Sequence, residues 1–178
     1  MATTIVLDAG HGASDLGATY QGRQEKDDNL ALVLAVGDIL SRFDGINVVY
    51  TRDQDVYDSP SRKAAIANEA EADLFLSIHR NSTPVPNTYS GVETLVYNRF
   101  GEAARIARNI DRQLEAIGFE DLGITERKNL TVLKRTTMPA VLLEIGYINT
   151  DADNAFFDEN FDEIARAIAD GVLVSFGY

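Results

Sequence analysis

Apolar runs rich in β-branched residues alternate along the chain with stretches that carry apolar residues at helical spacing. Residues 4–9 form the first such run, and residues 29–43 then place apolar side chains on one face of a helix. Strands that alternate with helices favour a mostly parallel sheet whose two faces are both covered. We therefore predict an α/β fold in three layers, with a mostly parallel central sheet flanked by helices on both faces. We expect residues 1–178 to form a single domain.

The other predicted elements follow the same alternation. Ser59 can cap a helix whose first position is Pro60. Asn160 with Glu163 resembles a capping box at the start of the last helix. Further helices are predicted at 59–71 and 102–117, from Thr150, and from about 160 onward. Further strands are predicted at 47–52, 73–79, 91–97, 130–133 and 140–145.

Charge and cysteine content exclude several classes of function. The 16 basic and 28 acidic residues give a net charge of −12, which argues against nucleic acid as a partner. No apolar run approaches the roughly 18 residues of a membrane span, and no signal peptide is recognisable at the start of this chain. The absence of cysteine excludes disulfides and thiolate metal ligands, so that a metal would need His, Glu or Asp.

Three candidate functional groups lie at the ends of predicted strands. His11 follows the first run, His79 ends the strand at 73–79, and Glu144 lies near the end of the strand at 140–145. Ligand sites in such sheets gather beyond the carboxyl ends of the strands, where Glu25 in the preceding polar loop is also close. Two imidazoles and one carboxylate can hold zinc and leave a position for water, and a second carboxylate can act as the base.

Each of these groups also has a structural interpretation. A histidine after a strand is often simply hydrogen-bonded, and Glu25 beside Asp27 and Asp28 can belong to a solvated acidic cluster. Glu144 follows an apolar run, where an unpaired carboxylate is costly, so it requires an ion pair or a functional role. Spacing alone leaves the metal site and the structural interpretation both open.

Four sequence motifs resemble those of the zinc-dependent N-acetylmuramoyl-L-alanine amidases. Leu7-Asp8-Ala9-Gly10-His11-Gly12, followed by Asp15-Leu16-Gly17-Ala18, is similar to the opening motif of that family. The other three are Glu25-Lys26-Asp27-Asp28-Asn29-Leu30, Ser77-Ile78-His79-Arg80-Asn81 and Glu144-Ile145-Gly146-Tyr147-Ile148. The resemblance extends over about residues 4–176, with the motifs in the same order. Ala9, Ala13 and Tyr147 depart from the commoner residues, but none of them is a ligand or the catalytic carboxylate.

The resemblance implies a function and a role for each site residue. His11, Glu25 and His79 would hold Zn²⁺, and Glu144 would be the catalytic acid and base. Asn81 would bind substrate beside the metal or, alternatively, cap the turn after its strand. We expect Asp8 to brace the loop or a ligand, and Arg52 and Arg62 to form structural ion pairs.

The implied reaction is hydrolysis of the amide bond between N-acetylmuramic acid and L-alanine in peptidoglycan. The implied partners are the stem peptide and muramic acid, with no nucleic acid and no membrane span, and we expect a monomer. The enzyme would act at the bacterial cell wall, either secreted or released from the cytoplasm as a lysin. A zinc carboxypeptidase acting on peptides and an inactive wall-binding module are the alternatives.

Overall fold

The computed structural model describes residues 2–178 and contains eight strands and six helices in that range. The strands are β1 (Thr3–Ala9), β2 (Thr19–Tyr20), β3 (Arg23–Gln24), β4 (Ile46–Tyr50), β5 (Leu74–Asn81), β6 (Val92–Val96), β7 (Asp121–Glu126) and β8 (Ala140–Tyr147). The helices are α1 (Glu25–Leu40), α2 (Pro60–Glu69), α3 (Glu102–Ala116), α4 (Thr131–Lys134), α5 (Asp151–Glu159) and α6 (Phe161–Phe176).

Six strands form one sheet in the order β4-β1-β5-β8-β6-β7. The pairs β1–β4, β1–β5, β5–β8 and β6–β7 are parallel, and only β6–β8 is antiparallel. Strands β2 and β3 form a separate two-stranded ribbon just before α1. The sheet is therefore mostly parallel, as the sequence predicts, and it carries helices on both faces.

The alternation of side chains along each strand divides the apolar core into two layers. In β1, Ile5 and Leu7 belong to the layer under α1, α3 and α6, whereas Val6 belongs to the layer under α2 and α4. In β5, Leu76 belongs to the layer under α1, α3 and α6, and Phe75 belongs to the layer under α2 and α4. Successive strand residues point to opposite faces, so near-continuous apolar runs are what a sheet buried on both faces requires.

Helix starts agree with the sequence in some places and not in others. Ser59 caps α2 by accepting a hydrogen bond from the Arg62 backbone N–H at 3.2 Å, as predicted. The capping box predicted at Asn160 and Glu163 is wrong, because the Asn160 side chain donates to the carbonyl of Phe156 instead. Helix α1 begins at Glu25, four residues earlier than expected, which moves Glu25 from a loop into the first helical turn.

The strand predicted at 130–133 is also wrong. Leu130 lies at the N-cap of α4, and Val132 and Leu133 are buried against the layer under α2. A short apolar run has no periodicity that separates a strand from a buried helical turn. The unpredicted edge strand β7 has few apolar residues and contains Gly123, so its pattern gives little strand signal. No helix within residues 2–178 is long and apolar enough to cross a membrane.

Helix α3 carries one buried acidic side chain in an otherwise apolar face. Asp111 is 3% exposed, and its carboxylate accepts a hydrogen bond from the Thr94 hydroxyl of β6. Burial raises the pKa of Asp111 to about 7, the Thr94 hydroxyl opposes this shift, and the charge of Asp121 adds to it. The folded chain therefore holds this proton more tightly than the unfolded chain does.

This raised pKa predicts a pH-dependent stability difference for Asp111→Asn. The folded-state pKa of about 7 lies above the ordinary value of 3.8, so ionisation of Asp111 lowers wild-type stability as pH rises through that interval. The introduced asparagine side chain can still accept the hydrogen bond from Thr94 but cannot ionise. When the pH is raised from 4 to 8, the unfolding free energy of the variant should therefore rise by about 1–3 kcal/mol relative to that of wild type. Urea denaturation at both pH values measures this. Glu115→Gln, an exposed change on the same helix, is the control, and an equal pH dependence for both variants would contradict the assignment.

Candidate metal centre

Two histidines and one glutamate meet at the carboxyl ends of β1 and β5. One donor atom from each of His11, Glu25 and His79 lies within 4.8 Å of the other two. His11 Nε2 is 3.2 Å from Glu25 Oε2, and His79 Nδ1 is 2.9 Å from Glu25 Oε1. The structure thus brings together the three side chains that the sequence singled out as a candidate metal shell.

The sheet register explains this convergence. Parallel neighbours end at the same edge, and the β1–β5 register pairs Ala9 with Ile78, directly before His79. The β5–β8 register pairs His79 with Glu144. The first turn of α1 places the Glu25 carboxylate against this edge, where Glu25 Oε2 also accepts from the Ala18 backbone N–H at 2.9 Å.

Two glycines allow His11, Glu25 and His79 to approach one another closely. A Cβ on Gly10 would collide with the imidazole ring of His79, and a Cβ on Gly17 would crowd both Glu25 and His11. Asp15 orients His11, because its Oδ2 is 2.9 Å from His11 Nδ1 and the opposite ring nitrogen then faces Glu25. These glycines therefore allow close packing around the three candidate ligands, and Asp15 orients one of them, His11.

Burial and neighbouring charges shift the pKa values of Glu25 and His11 in opposite directions. Burial raises the pKa of Glu25, but its contacts with His11 and His79 outweigh burial and hold that pKa far below its ordinary range. Burial lowers the pKa of His11, but its contacts with Glu25 and Asp15 outweigh burial and raise it to about 9. The Glu25 carboxylate is therefore ionised across the neutral range, as a metal ligand must be.

Glu144 lies across the strand pair from His79 and has a different environment. Its buried Oε2 has no hydrogen-bond partner among the described residues. Burial raises the pKa of Glu144 to about 7, with the histidines opposing this shift and the charges of Glu25 and Glu93 adding to it. An unpaired carboxyl group of this pKa can take up and release a proton near neutral pH.

Asn81 and Glu93 form a polar margin beside Glu144. Asn81 Oδ1 accepts from the Ser82 backbone N–H at 2.9 Å, which is the turn-capping role weighed above, and its Nδ2 donates to Glu93 at 3.2 Å. Substrate binding by Asn81 stays a prediction. Sequence reasoning missed Glu93, which pairs in register with Glu144 and also accepts from Thr125. The one feature of the sequence that could have pointed to Glu93 is its position near the start of the strand predicted at 91–97.

A cavity of about 290 Å³ opens beside the two histidines. Tyr57 and Pro60 lie on the side of α2, whereas Leu130 and Val132 lie on the side of α4. Leu142 of β8 also lines the cavity. The segment that the sequence assigned to a strand therefore forms one wall of the space next to the metal centre.

Asp8 lies beneath the metal centre and is fully paired. It is 1% exposed and accepts from Thr51 and Ser77, each at 2.6 Å, and from Lys63 at 2.9 Å. Burial raises its pKa, but the charge of Lys63 and these hydrogen bonds outweigh burial and hold the pKa below its usual value. Asp8 therefore joins β1, β5, α2 and the residue after β4 directly below the loop that carries His11.

The two arginines expected to form structural ion pairs differ in the structure. Arg62 lies 3.4 Å from Glu69 on the surface, as expected. The expectation is wrong for Arg52, whose buried guanidinium donates to backbone carbonyls and has no carboxylate partner among the described residues. Sequence alone cannot distinguish these cases, because the acceptors of Arg52 are main-chain oxygens rather than side chains.

Fold and site together are those of an α/β domain with a two-histidine, one-glutamate group next to a buried carboxyl group. A family model described as N-acetylmuramoyl-L-alanine amidase matches residues 5–174. The chain belongs to this family, whose members are hydrolases of the amide bond between N-acetylmuramic acid and L-alanine in peptidoglycan.

Curated relatives agree with this membership. The endolysin of Bacillus phage SPP1 is 35% identical, and the match covers 97% of this chain and 65% of the endolysin. The sporulation-specific N-acetylmuramoyl-L-alanine amidase of Bacillus subtilis strain 168 is 34% identical, with 97% of this chain and 68% of that protein covered. The chain thus spans about two thirds of the length of these relatives.

Solved structures show the same architecture. An N-acetylmuramoyl-L-alanine amidase from Clostridium difficile 630 superposes with a TM-score of 0.93 at 32% identity, covering 99% of this chain and 97% of that one. The catalytic domain of CwlV, an N-acetylmuramoyl-L-alanine amidase from Bacillus (Paenibacillus) polymyxa var. colistinus, gives 0.91 at 36% identity, with 98% of each chain covered.

The contact between Gly10 and His79 predicts the effect of Gly10→Ala. The added methyl group has to displace the His79 imidazole, so metal affinity should fall at least tenfold while circular dichroism shows the fold retained. Isothermal titration with Zn²⁺ measures the affinity. Gly22→Ala is the control, because a Cβ at Gly22 meets nothing within 4 Å. Unchanged metal affinity in Gly10→Ala would contradict the geometry of the site.

Proposed function

We propose that this chain cleaves the muramoyl–L-alanine bond with a zinc ion held by His11, Glu25 and His79 and with Glu144 as general acid and base. The observation that carries the proposal is the meeting of three ligand-type side chains with a carboxyl group that has a buried, unpartnered oxygen. Residues 1–178 would form one catalytic domain, since the family match covers residues 5–174.

The side chains present fit zinc. Two imidazole nitrogens and one carboxylate oxygen are a common protein shell for a catalytic zinc ion, and they leave a coordination position open. The three donor atoms are already within 4.8 Å of one another. The chain has no cysteine, so these side chains would have to supply the whole protein shell.

The bound metal would supply a Lewis acid that acidifies water and polarises the carbonyl group of the scissile amide. Glu144 would take a proton from the attacking water as a C–O bond forms at the lactyl carbonyl carbon. It would then deliver that proton to the L-alanine nitrogen as the C–N bond breaks. A pKa of about 7 suits both transfers, because the group must accept and release the same proton near neutral pH.

The cavity between α2 and α4 would receive the part of the substrate next to the scissile bond. Its wall combines the apolar side chains of Leu130, Val132 and Leu142 with the polar tips of Tyr57 and Asp58. We expect a monomer that acts at the bacterial cell wall and does not bind nucleic acid, given the net charge of −12. An endolysin and a sporulation amidase are among the relatives, so either setting is compatible with this domain.

Removal of the metal should abolish hydrolysis. After dialysis against a chelator, hydrolysis of purified cell walls should fall to background, and one equivalent of Zn²⁺ should restore it. Magnesium is the control, because it prefers six oxygen ligands rather than two imidazoles and a carboxylate. Full activity in protein shown by elemental analysis to be metal-free would exclude the proposed mechanism.

Glu144→Gln should keep zinc and lose turnover. The substitution preserves shape but removes the acid–base group, so kcat should fall by about 10²- to 10⁴-fold. Zinc content and melting temperature should remain near those of wild type, because the three ligands are unchanged. Glu163→Gln, an exposed change on α6, is the matched control. A zinc-loaded Glu144→Gln that hydrolyses muropeptides at nearly the normal rate would refute the role of Glu144.

Product analysis separates the amidase from a zinc carboxypeptidase. Muropeptide digests should yield muramyl sugar lacking its peptide together with a peptide that has a new N-terminal L-alanine. Mass spectrometry detects both. Release of single C-terminal amino acids, with the muramoyl amide left intact, would favour the carboxypeptidase. No release of either product by zinc-loaded protein would favour an inactive wall-binding module.

A further inference from the structure

We propose that Arg52 is a positioning residue whose buried guanidinium holds the Ala9 and Gly10 carbonyls and thereby fixes His11 for metal binding. This inference rests on the proposed function, because it takes His11 to be a zinc ligand. Arg52 lies just after β4, on the far side of β1 from His79, and it is not among the residues that line the cavity. Its effect on the metal would therefore pass through the main chain.

The guanidinium of Arg52 donates to four backbone carbonyls. Nε donates to Ala9 at 3.1 Å, one Nη donates to Gly10 at 3.0 Å and to Lys26 at 2.9 Å, and the other Nη donates to Gln54 at 3.1 Å. Arg52 is 3% exposed. A single planar group with five N–H donors thus ties together the loop after β1, the first turn of α1 and the loop after β4.

A buried cation without an anionic partner is costly, and burial accordingly lowers the pKa of Arg52. Asp8, a buried carboxylate below the loop, is paired with Lys63 and with two hydroxyl groups instead. The carbonyl oxygens of Ala9 and Gly10 therefore supply the negative ends of the dipoles that offset the charge of Arg52. The charges of Asp8, Asp55 and Asp27 oppose this pKa shift from a greater distance. Two of the four carbonyls that contact the guanidinium belong to the segment directly before His11, so the burial of Arg52 favours this conformation of the loop.

This loop needs external support, because it contains strained backbone. His11 has φ 63° and Ala13 has φ 50°, values in the left-handed region that non-glycine residues adopt only when the surroundings enforce them. The two carbonyls before His11 each accept from two side chains. Lys63 donates to Ala9 at 3.0 Å and Asn29 donates to Gly10 at 3.2 Å, in addition to Arg52.

The Gly10 peptide also connects all three proposed ligands. It directly precedes His11, its Cα lies against the His79 ring, and its carbonyl shares the Asn29 amide with Glu25 Oε1, which is 3.3 Å from Asn29 Nδ2. A shift of this peptide therefore moves one ligand and disturbs the packing of the other two. Arg52, whose donors are fixed in one plane, is the side chain that donates to both the Ala9 and the Gly10 carbonyls.

Arg52→Lys and Arg52→Gln test this inference. Lysine keeps the charge and glutamine keeps a planar donor, but neither can reach all four carbonyls. Zinc affinity, measured by competition with a chromophoric chelator, should fall about 10- to 100-fold in both, as is typical when a group that orients a ligand is removed. Arg62→Gln is the matched control, because Arg62 lies in a surface ion pair with Glu69, and it should retain wild-type affinity.

Four measured outcomes separate the possibilities. A folded Arg52→Gln that binds zinc as tightly as wild type would overturn the inference. A drop in melting temperature that is equal with and without zinc, at unchanged zinc affinity, would also overturn it, because it would indicate a structural role only. If the arginine variants do not fold, Asn29→Ala addresses the same carbonyl and should weaken zinc binding at least tenfold, whereas unchanged affinity would count against the inference. Failure of the unmodified protein to bind zinc would instead contradict the proposed function.

Discussion

The parallel pairing of β1, β5 and β8 is the constraint on which the rest of the structure depends. Because these strands are neighbours and run in the same direction, their carboxyl ends meet at one edge of the sheet. The β5–β8 register places His79 opposite Glu144, and the β1–β5 pairing brings the loop that carries His11 to the same edge. A slip of one residue in β5 would turn His79 to the other face of the sheet and remove it from the site.

A frame of buried polar groups holds this edge in place. Asp8 joins β1 to β5 and α2 through Ser77 and Lys63, and Arg52 joins the same loop to α1 and to the residues after β4. These groups are almost fully hydrogen-bonded, so their burial is compatible with stability. Glu144 differs from Asp8 and Arg52, because its buried Oε2 has no hydrogen-bond partner among the described residues. Asp8 and Arg52, which support the site, are thus hydrogen-bonded, whereas the group proposed to react is not.

Much of this organisation could be predicted from the sequence, because apolar periodicity reports burial directly. The strand that precedes His11 and the strands that carry His79 and Glu144 are long, apolar and central, so their positions could be predicted from the apolar pattern. The segment at 130–133 and strand β7 could not be assigned, because one is a short apolar run of ambiguous type and the other is a polar edge strand. The roles of Arg52 and Glu93 also escaped prediction, since each depends on main-chain or cross-strand partners that become neighbours only in the folded chain.

The most direct test of the account is anomalous diffraction at the zinc absorption edge from crystals of the zinc-loaded protein. The account predicts one strong peak about 2.0–2.2 Å from a ring nitrogen of His11, a ring nitrogen of His79 and a carboxylate oxygen of Glu25. Glu144 should lie nearby without coordinating the ion directly. A zinc ion coordinated by Asp27 or Asp28 in place of Glu25, or no peak at this edge of the sheet, would contradict the central claim.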